Sequence, residues 1–162
     1  MPPPNLDAID RRILRELMQD GRLTNVALAQ RAGITPPPCL RRVRALEEAG
    51  YITGYHAAVD ERRIGFPVTV FVSVALHKQS DGDLRAFENA CLTWPLVREC
   101  YMISGEADYH LRCVAPDLET FEQFLRNTLS ATPNVASVTT QVTIRPTKRE
   151  AGVPLEVARP AR

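Results

Sequence analysis

Residues 24–46 read TNVALAQRAGITPPPCLRRVRAL. Thr24 or Asn25 can cap a short helix in which Val26, Leu28, Ala29 and Ala32 supply a small-residue face for close helix contact. Gly33 is a left-handed stop. Thr35 then caps a second helix, and Pro36 suits its first position because the missing amide would go unpaired there. Pro37 and Pro38 fall in the same turn, but a residue before proline resists helical angles, so regular helix is expected only from about Pro38. Leu40, Val43 and Leu46 form an inward stripe; Arg41 and Arg44 lie roughly opposite, with Arg42 to one side. Two short helices at a tight turn, the second one basic, are how a helix-turn-helix offers a helix to the major groove. On this reading Thr35, Pro37, Pro38 and Arg41 approach the groove floor, Arg42 and Arg44 take base edges or phosphates, and Thr24 and Asn25 lie beside them. The plainer alternative is a solvated basic face on an ordinary helix bundle.

Upstream, Asp7 can cap a helix whose apolar face is Ile9, Ile13, Leu14, Leu17 and Met18, with Asp10 adding favourable charge to its first turn and Gly21 ending it. Pro2 to Pro4 read as a disordered leader. Downstream, Gly50 to Asp60 alternates and carries two glycines, as a β-strand linker would. The net charge of the 162-residue chain is only +1, which speaks against a nucleic-acid partner if taken as a sum. Phosphate affinity, however, follows local clusters, and Gly33 to Leu46 holds three arginines and no acid. With 44% hydrophobic residues the chain can bury one core or two small ones. There is no apolar run of about 18 residues and no secretion signal at the N-terminus, so no membrane partner is expected. Four cysteines without metal-ligand spacing argue against a zinc site and a disulfide framework, and reduced thiols in a cytoplasm are the simplest expectation.

From Phe66 the period changes to two. Val68, Val70, Val72, Val74 and Leu76 alternate with Thr69, Phe71, Ser73, Ala75 and His77 in a long half-buried strand. A helix follows through Leu84, Phe87, Ala90 and Cys91, then two strands separated at Gly105-Glu106. A second helix runs through Leu118, Phe121, Phe124, Leu125 and Leu129, and the stretch NVASVTTQVTIR closes with a strand. The order βαββαβ predicts a ferredoxin-like antiparallel sheet with both helices on one face, inside an α+β chain. The other sheet face needs a cover, and self-association is the cheapest one. The expected domains are a winged helix-turn-helix over 1–53, a β-strand linker over 54–65, the ferredoxin-like domain over 66–146 and a partly disordered tail over 147–162.

The joint pattern Leu6-Asp7-x-x-Asp10, Asp20-Gly21-Arg22, Pro38-Cys39-Leu40-x-Arg42-Val43 and Leu46-Glu47-x-x-Gly50-x-Ile52-x-Gly54-Tyr55 resembles the Lrp/AsnC family of regulators, nearly end to end. Where that family usually has Leu-Ser ahead of its recognition helix, this chain has Ile34-Thr35, which keeps the capping chemistry; the triple proline is less usual. The resemblance implies a transcriptional regulator bound to double-stranded DNA, homodimers paired through their sheets and commonly assembled into octamers as tetramers of dimers, and an amino-acid effector between dimers. Family members usually carry Gly-Asp-x-Asp-Tyr where this chain has Gly105-Glu106-Ala107-Asp108-Tyr109, so the resemblance makes Ser104, Gly105, Glu106, Asp108 and Tyr109 effector candidates. Thr139, Thr140 and Gln141 of a neighbouring dimer would join them. Amides at a glycine turn suit an α-carboxylate and an acid suits an α-ammonium. Glu106 in place of the usual Asp adds one methylene; the alternative is a plain hairpin turn.

No catalytic residue, cofactor or metal is expected. His110 and Cys113 stand an odd step apart on one strand and point to opposite faces, although a neighbouring strand could bring Cys100 near one of them. Trp94-Pro95 reads as core and helix stop. The rival functional reading is an amino-acid-sensing oligomerisation module without specific DNA binding, in which the first helices are only an assembly surface.

Overall fold

In the computed structural model residues 6–155 are described; the Pro2–Pro4 leader lies outside them. The chain divides into two compact units: the N-terminal part up to Ala58 together with the segment from Lys148 on, and Val59–Thr147.

The first unit contains helices α1 (Ala8–Gln19), α2 (Asn25–Ala32) and α3 (Pro36–Glu48). Ile13 and Leu14 of α1, Leu28, Ala29 and Ala32 of α2, and Cys39 and Leu46 of α3 form its core. At the start of α1, Asp7 accepts hydrogen bonds from the amides of Ile9 and Asp10, each at 2.8 Å. Asp10 returns one from the Asp7 amide at 3.2 Å, completing a capping box. Three positions depart from the sequence reading. Val26 is 65% exposed and Leu40 is 40% exposed, and Cys39 fills the core place expected of Leu40. The inward stripe of α3 is Cys39, Val43 and Leu46, so only its first member is shifted, by one residue, and the helix is regular from Pro36, earlier than expected.

The segment after α3 makes no strand pairing, so the expected β-strand linker is extended chain without a partner. A strand needs a neighbour for its amides and carbonyls, and no second strand lies beside this stretch among the described residues. Tyr55 folds back on α3, donating to the Glu47 carboxylate at 2.9 Å; burial and that bond push its hydroxyl up to about 12. In the described part of the tail, Leu155 packs against the core of this unit.

The second unit is a four-stranded antiparallel sheet of β1 (Val68–Leu76), β2 (Val97–Met102), β3 (Tyr109–Ala115) and β4 (Val135–Val142), in the order β2-β3-β1-β4. Helices α4 (Asp81–Leu92) and α5 (Leu118–Phe124), the latter continued by one π-helical turn over Leu125–Leu129, cover one face. This is the ferredoxin-like arrangement. Val70, Val72, Val74, Leu111 and Cys113 point into the core with Phe87, Phe121, Phe124 and Leu129; Leu118, expected inside, is 57% exposed at the first turn of α5. The open face carries Phe71 stacked on His110 (5.6 Å, 13°) and Ser73 at 3.3 Å from His110 Nδ1. On that face Arg112 pairs with Glu61 at 2.5 Å and Glu99 at 3.5 Å. Glu61 stands in the turn before β1, so the later part of the expected linker, from Val59, belongs with the sheet, while its earlier part belongs to the first unit.

The amide bonds and Arg42 hold the Asp7 carboxyl below its ordinary value of 3.8. Its stabilisation is therefore complete above that value and is lost as pH falls through the lower folded one. Thermal melts should show Asp7→Ala less stable by about 1 kcal/mol at pH 7, and the gap to the parent should shrink below pH 3.8. An equal gap at both pH values would contradict this account.

Candidate functional site

Thr24 caps α2, accepting from the Ala27 amide at 3.2 Å. Gly33 ends it at φ 74, and the Ile34 amide reaches back to the Ala29 carbonyl at 3.0 Å. Asn25 does not offer its side chain outward. Its Nδ2 donates to the Pro36 carbonyl at 2.8 Å, fastening the start of α2 to the start of α3, and its Oδ1 is buried.

The three prolines occupy the first three positions of α3, and the first amide of the helix is that of Cys39, donating to the Thr35 carbonyl at 3.2 Å. A capping side chain accepts from the second or third amide, and here both belong to proline and do not exist. Thr35 accordingly stands at the cap with cap-like angles (φ −83°, ψ 156°) and makes no capping hydrogen bond. The expectation that Thr35 keeps the cap chemistry is thus corrected: its hydroxyl is left for another partner. Proline suits this turn in two respects: its φ is helical, and none of the missing amides would have been paired.

Arg41 and Arg44 are exposed, and neither has an ion pair among the described residues. Arg42 has two. Its Nη1 lies 2.7 Å from Asp7 Oδ2 and 2.7 Å from Asp10 Oδ1, and those bonds raise its pKa, Asp10 contributing most. Arg42 is therefore a brace between α3 and the capping box of α1, not a free member of the basic face. Arg31 with Glu16 (3.1 Å), and Arg12 with the Ala32 carbonyl (3.3 Å), tie α2 to α1 in the same way. Thr24, Thr35, Pro37, Arg41 and Arg44 remain exposed, and Pro38 is half-buried.

In the second unit the β2–β3 turn closes with the Ile103 amide on the Asp108 carbonyl at 2.9 Å. Gly105 has φ 137°, a conformation side chains rarely adopt. Ser104, Gly105 and Glu106 are exposed. Asp108 and Tyr109 are not placed as the sequence suggested. The Asp108 carboxylate accepts from the Leu76 amide at 2.7 Å, where the β1–β4 register shifts, and so pins the turn to the end of β1. Tyr109 is 1% exposed, and its hydroxyl donates to Glu88 at 3.1 Å; burial first, then that bond, raises its pKa. Alternation carries the reason: Asp108 and Tyr109 enter the strand after the turn, where Tyr109 falls on the helix-covered side. Thr139, Thr140 and Gln141 are exposed on β4, with β1 between them and β3. A single chain does not bring them to the Gly105 turn. Sequence reasoning missed Asn25 as a staple and the Arg42 brace; the paired acids Asp7 and Asp10 facing a basic helix were the available signal.

A helix-turn-helix with a free basic face, followed by a ferredoxin-like βαββαβ unit, defines a DNA-binding regulator with a separate sensing fold. Residues 6–53 match the winged helix-turn-helix DNA-binding family, and residues 69–153 match the Lrp/AsnC ligand binding domain. The chain is 54% identical over 143 residues to the leucine-responsive regulatory protein of Rhizobium meliloti, covering 88% of this chain and 92% of that one. It is 44% identical over 150 residues to the Bkd operon transcriptional regulator of Pseudomonas aeruginosa, covering 93% and 98%. Among solved structures, a Neisseria meningitidis transcriptional regulator in complex with L-Met superimposes with a TM-score of 0.88 at 33% identity, over 93% of this chain and 97% of that one. An AsnC family regulator from Agrobacterium tumefaciens does so at 0.88 and 32%, over 93% and 98%. The chain belongs to the Lrp/AsnC family. It is a DNA-binding transcriptional regulator with an amino-acid-binding domain.

Because the Thr35 hydroxyl has no amide to accept from, Thr35→Ala should change stability by less than about 0.5 kcal/mol. Pro37→Ala restores one amide. In that background Thr35→Ala should cost about 1 kcal/mol. A urea-unfolding double-mutant cycle with no coupling would refute the account.

Proposed function

We propose that α3 enters the major groove with Thr35, Pro37 and Arg41 toward the bases and Arg44 on base edges or phosphates, while Arg42 and Asn25 hold the helix in place from behind. The observation that carries this reading is the division of labour among the three arginines: Arg42 is spent on Asp7 and Asp10, and Arg41 and Arg44 are left uncompensated on the outer face. Net charge near zero is no obstacle, since counterion release depends on the few cations that meet phosphate. Two such helices in a homodimer would reach successive major grooves about 34 Å apart.

The half-buried open sheet face, with Phe71, His110 and the Arg112 ion pairs, supports dimerisation through the sheets, and octamers as tetramers of such dimers. The effector is an aliphatic amino acid, a class supported by the leucine-responsive relative and by the L-Met complex of the Neisseria meningitidis regulator. Ser104, Gly105 and Glu106 would hold its charged end, with Thr139, Thr140 and Gln141 of a neighbouring dimer, and Asp108 and Tyr109 would shape the turn from beneath. The ligand acts by binding assemblies or domain arrangements with different affinity. The protein works in the cytoplasm as a regulator and not as an enzyme.

Anisotropy titrations of the full chain on duplexes selected from a random pool provide the test. Arg41→Ala and Arg44→Ala should each weaken binding at least about tenfold, in line with 1–3 kcal/mol per specific contact, with melting unchanged. If Arg44 meets phosphate, its loss should lower the salt slope by about one per helix. Arg42→Ala should instead lower the melting temperature, as expected for removing a brace. Equal affinity of all three variants with the parent would refute the assignment. Calorimetry against the twenty amino acids, with heat from L-leucine or L-methionine expected, tests the effector separately.

A further inference from the structure

The four thiols of the chain are not equivalent. Cys39 and Cys113 are enclosed in the two cores, where burial raises both, Cys113 up to about 12. Cys91 and Cys100 face one another across the gap between α4 and the edge strand β2. Cys100 stands opposite the enclosed Leu111 in the β2–β3 register, so it points to the helix-covered side of the sheet. Cys91, near the end of α4, looks down onto it. The closeness of the two sulfurs holds the Cys100 thiol below its ordinary pKa and pushes the Cys91 thiol up. Both line a cleft of about 490 Å³ with Glu88, Leu92, Val97 and Met102. The pair differs in access: Cys91 is buried and Cys100 is exposed at the sheet edge.

An exposed thiol of lowered pKa with a second thiol lining the same cleft is the arrangement that converts oxidation into a disulfide instead of over-oxidation. We propose that Cys91 and Cys100 form a dithiol site that a small hydroperoxide, hydrogen peroxide being the simplest, oxidises to an intramolecular disulfide. The Cys100 thiolate attacks one peroxide oxygen. Its S–O bond forms as the O–O bond breaks, and the departing hydroxide takes a proton to become water. The Cys91 sulfur then attacks Cys100, forming the S–S bond and breaking S–O, and the second hydroxide leaves as water with the Cys91 proton. Two thiols lose two electrons and two protons, and the peroxide is reduced to two waters. Cys91 is the resolving group because it is buried while Cys100 is exposed to the oxidant. The disulfide would fasten the end of α4 to the strand that leads into the Ser104–Glu106 turn.

Trypsin places the three cysteines of this unit on separate peptides, Ala86–Arg98, Glu99–Arg112 and Cys113–Arg126. The full chain is treated with hydrogen peroxide, alkylated, digested without reductant and analysed by mass spectrometry. The expected product joins Ala86–Arg98 to Glu99–Arg112, is lighter than their sum by two hydrogens, and is split by dithiothreitol. It should persist in the Cys39→Ala/Cys113→Ala double variant. Cys100→Ser, an exposed and near-isosteric change, should abolish it and leave Cys91 open to alkylation. Three results would overturn the proposal: Cys100 found as sulfinic or sulfonic acid with Cys91 still free, Cys100 bridging two chains, or both thiols still alkylated at peroxide levels that oxidise free cysteine.

Discussion

Arg42 sits at 2.7 Å from both Asp7 and Asp10, and through it the beginning of α1 and the middle of α3 fix each other's position. Asp7 is at once the cap of α1, an acceptor for two amides and the counter-charge of the brace, so one carboxylate serves helix start and interhelical geometry together. The contact is partly exposed, and its energetic worth is modest by the standards of such pairs. Its importance lies in direction. It draws one arginine of three out of the basic face and thereby sets which side of α3 stays inward. The Asn25–Pro36 bond does the same at the other end of the turn, so α3 is held at two points while its outer face keeps only uncommitted groups.

A parallel logic holds in the second unit. Residues that look like ligand contacts in the sequence are partly spent on the scaffold: Asp108 closes β1 and Tyr109 fills the space beneath α4. What remains for a ligand at the turn is backbone, Ser104 and Glu106. The proposed site, a turn from one chain and a strand edge from another, would be incomplete in each alone, and ligand affinity would then be linked to assembly.

The element order and both cores were legible because they follow period: 3.6 through Ile13, Leu28 and Leu46, and 2 through Val70, Val72 and Val74. Capping at Asp7 and Thr24 and the stop at Gly33 were legible because their chemistry is local. Relations between elements were not. Nothing in the spacing of Arg42 says that it meets acids 32 and 35 residues earlier. The extended segment after α3 read as a strand because alternation describes a backbone shape, whereas a strand also requires a neighbour. The pre-proline rule puts the start of α3 too late because all three prolines fall where a helix leaves its amides unused. The candidate groove residues were readable as a set, and only the structure separates those that face outward from those that hold the helix.

The proline run has a consequence for thermodynamics. Three successive backbone torsions at the leading end of α3 are constrained covalently, in the unfolded chain and the folded one alike. That end has little freedom left to surrender when it meets a rigid partner, so complex formation should carry a small entropic penalty there and no heat-capacity signature of coupled folding. In the proposed complex the tip would approach as a preformed wedge, stiff where comparable helices tend to fray.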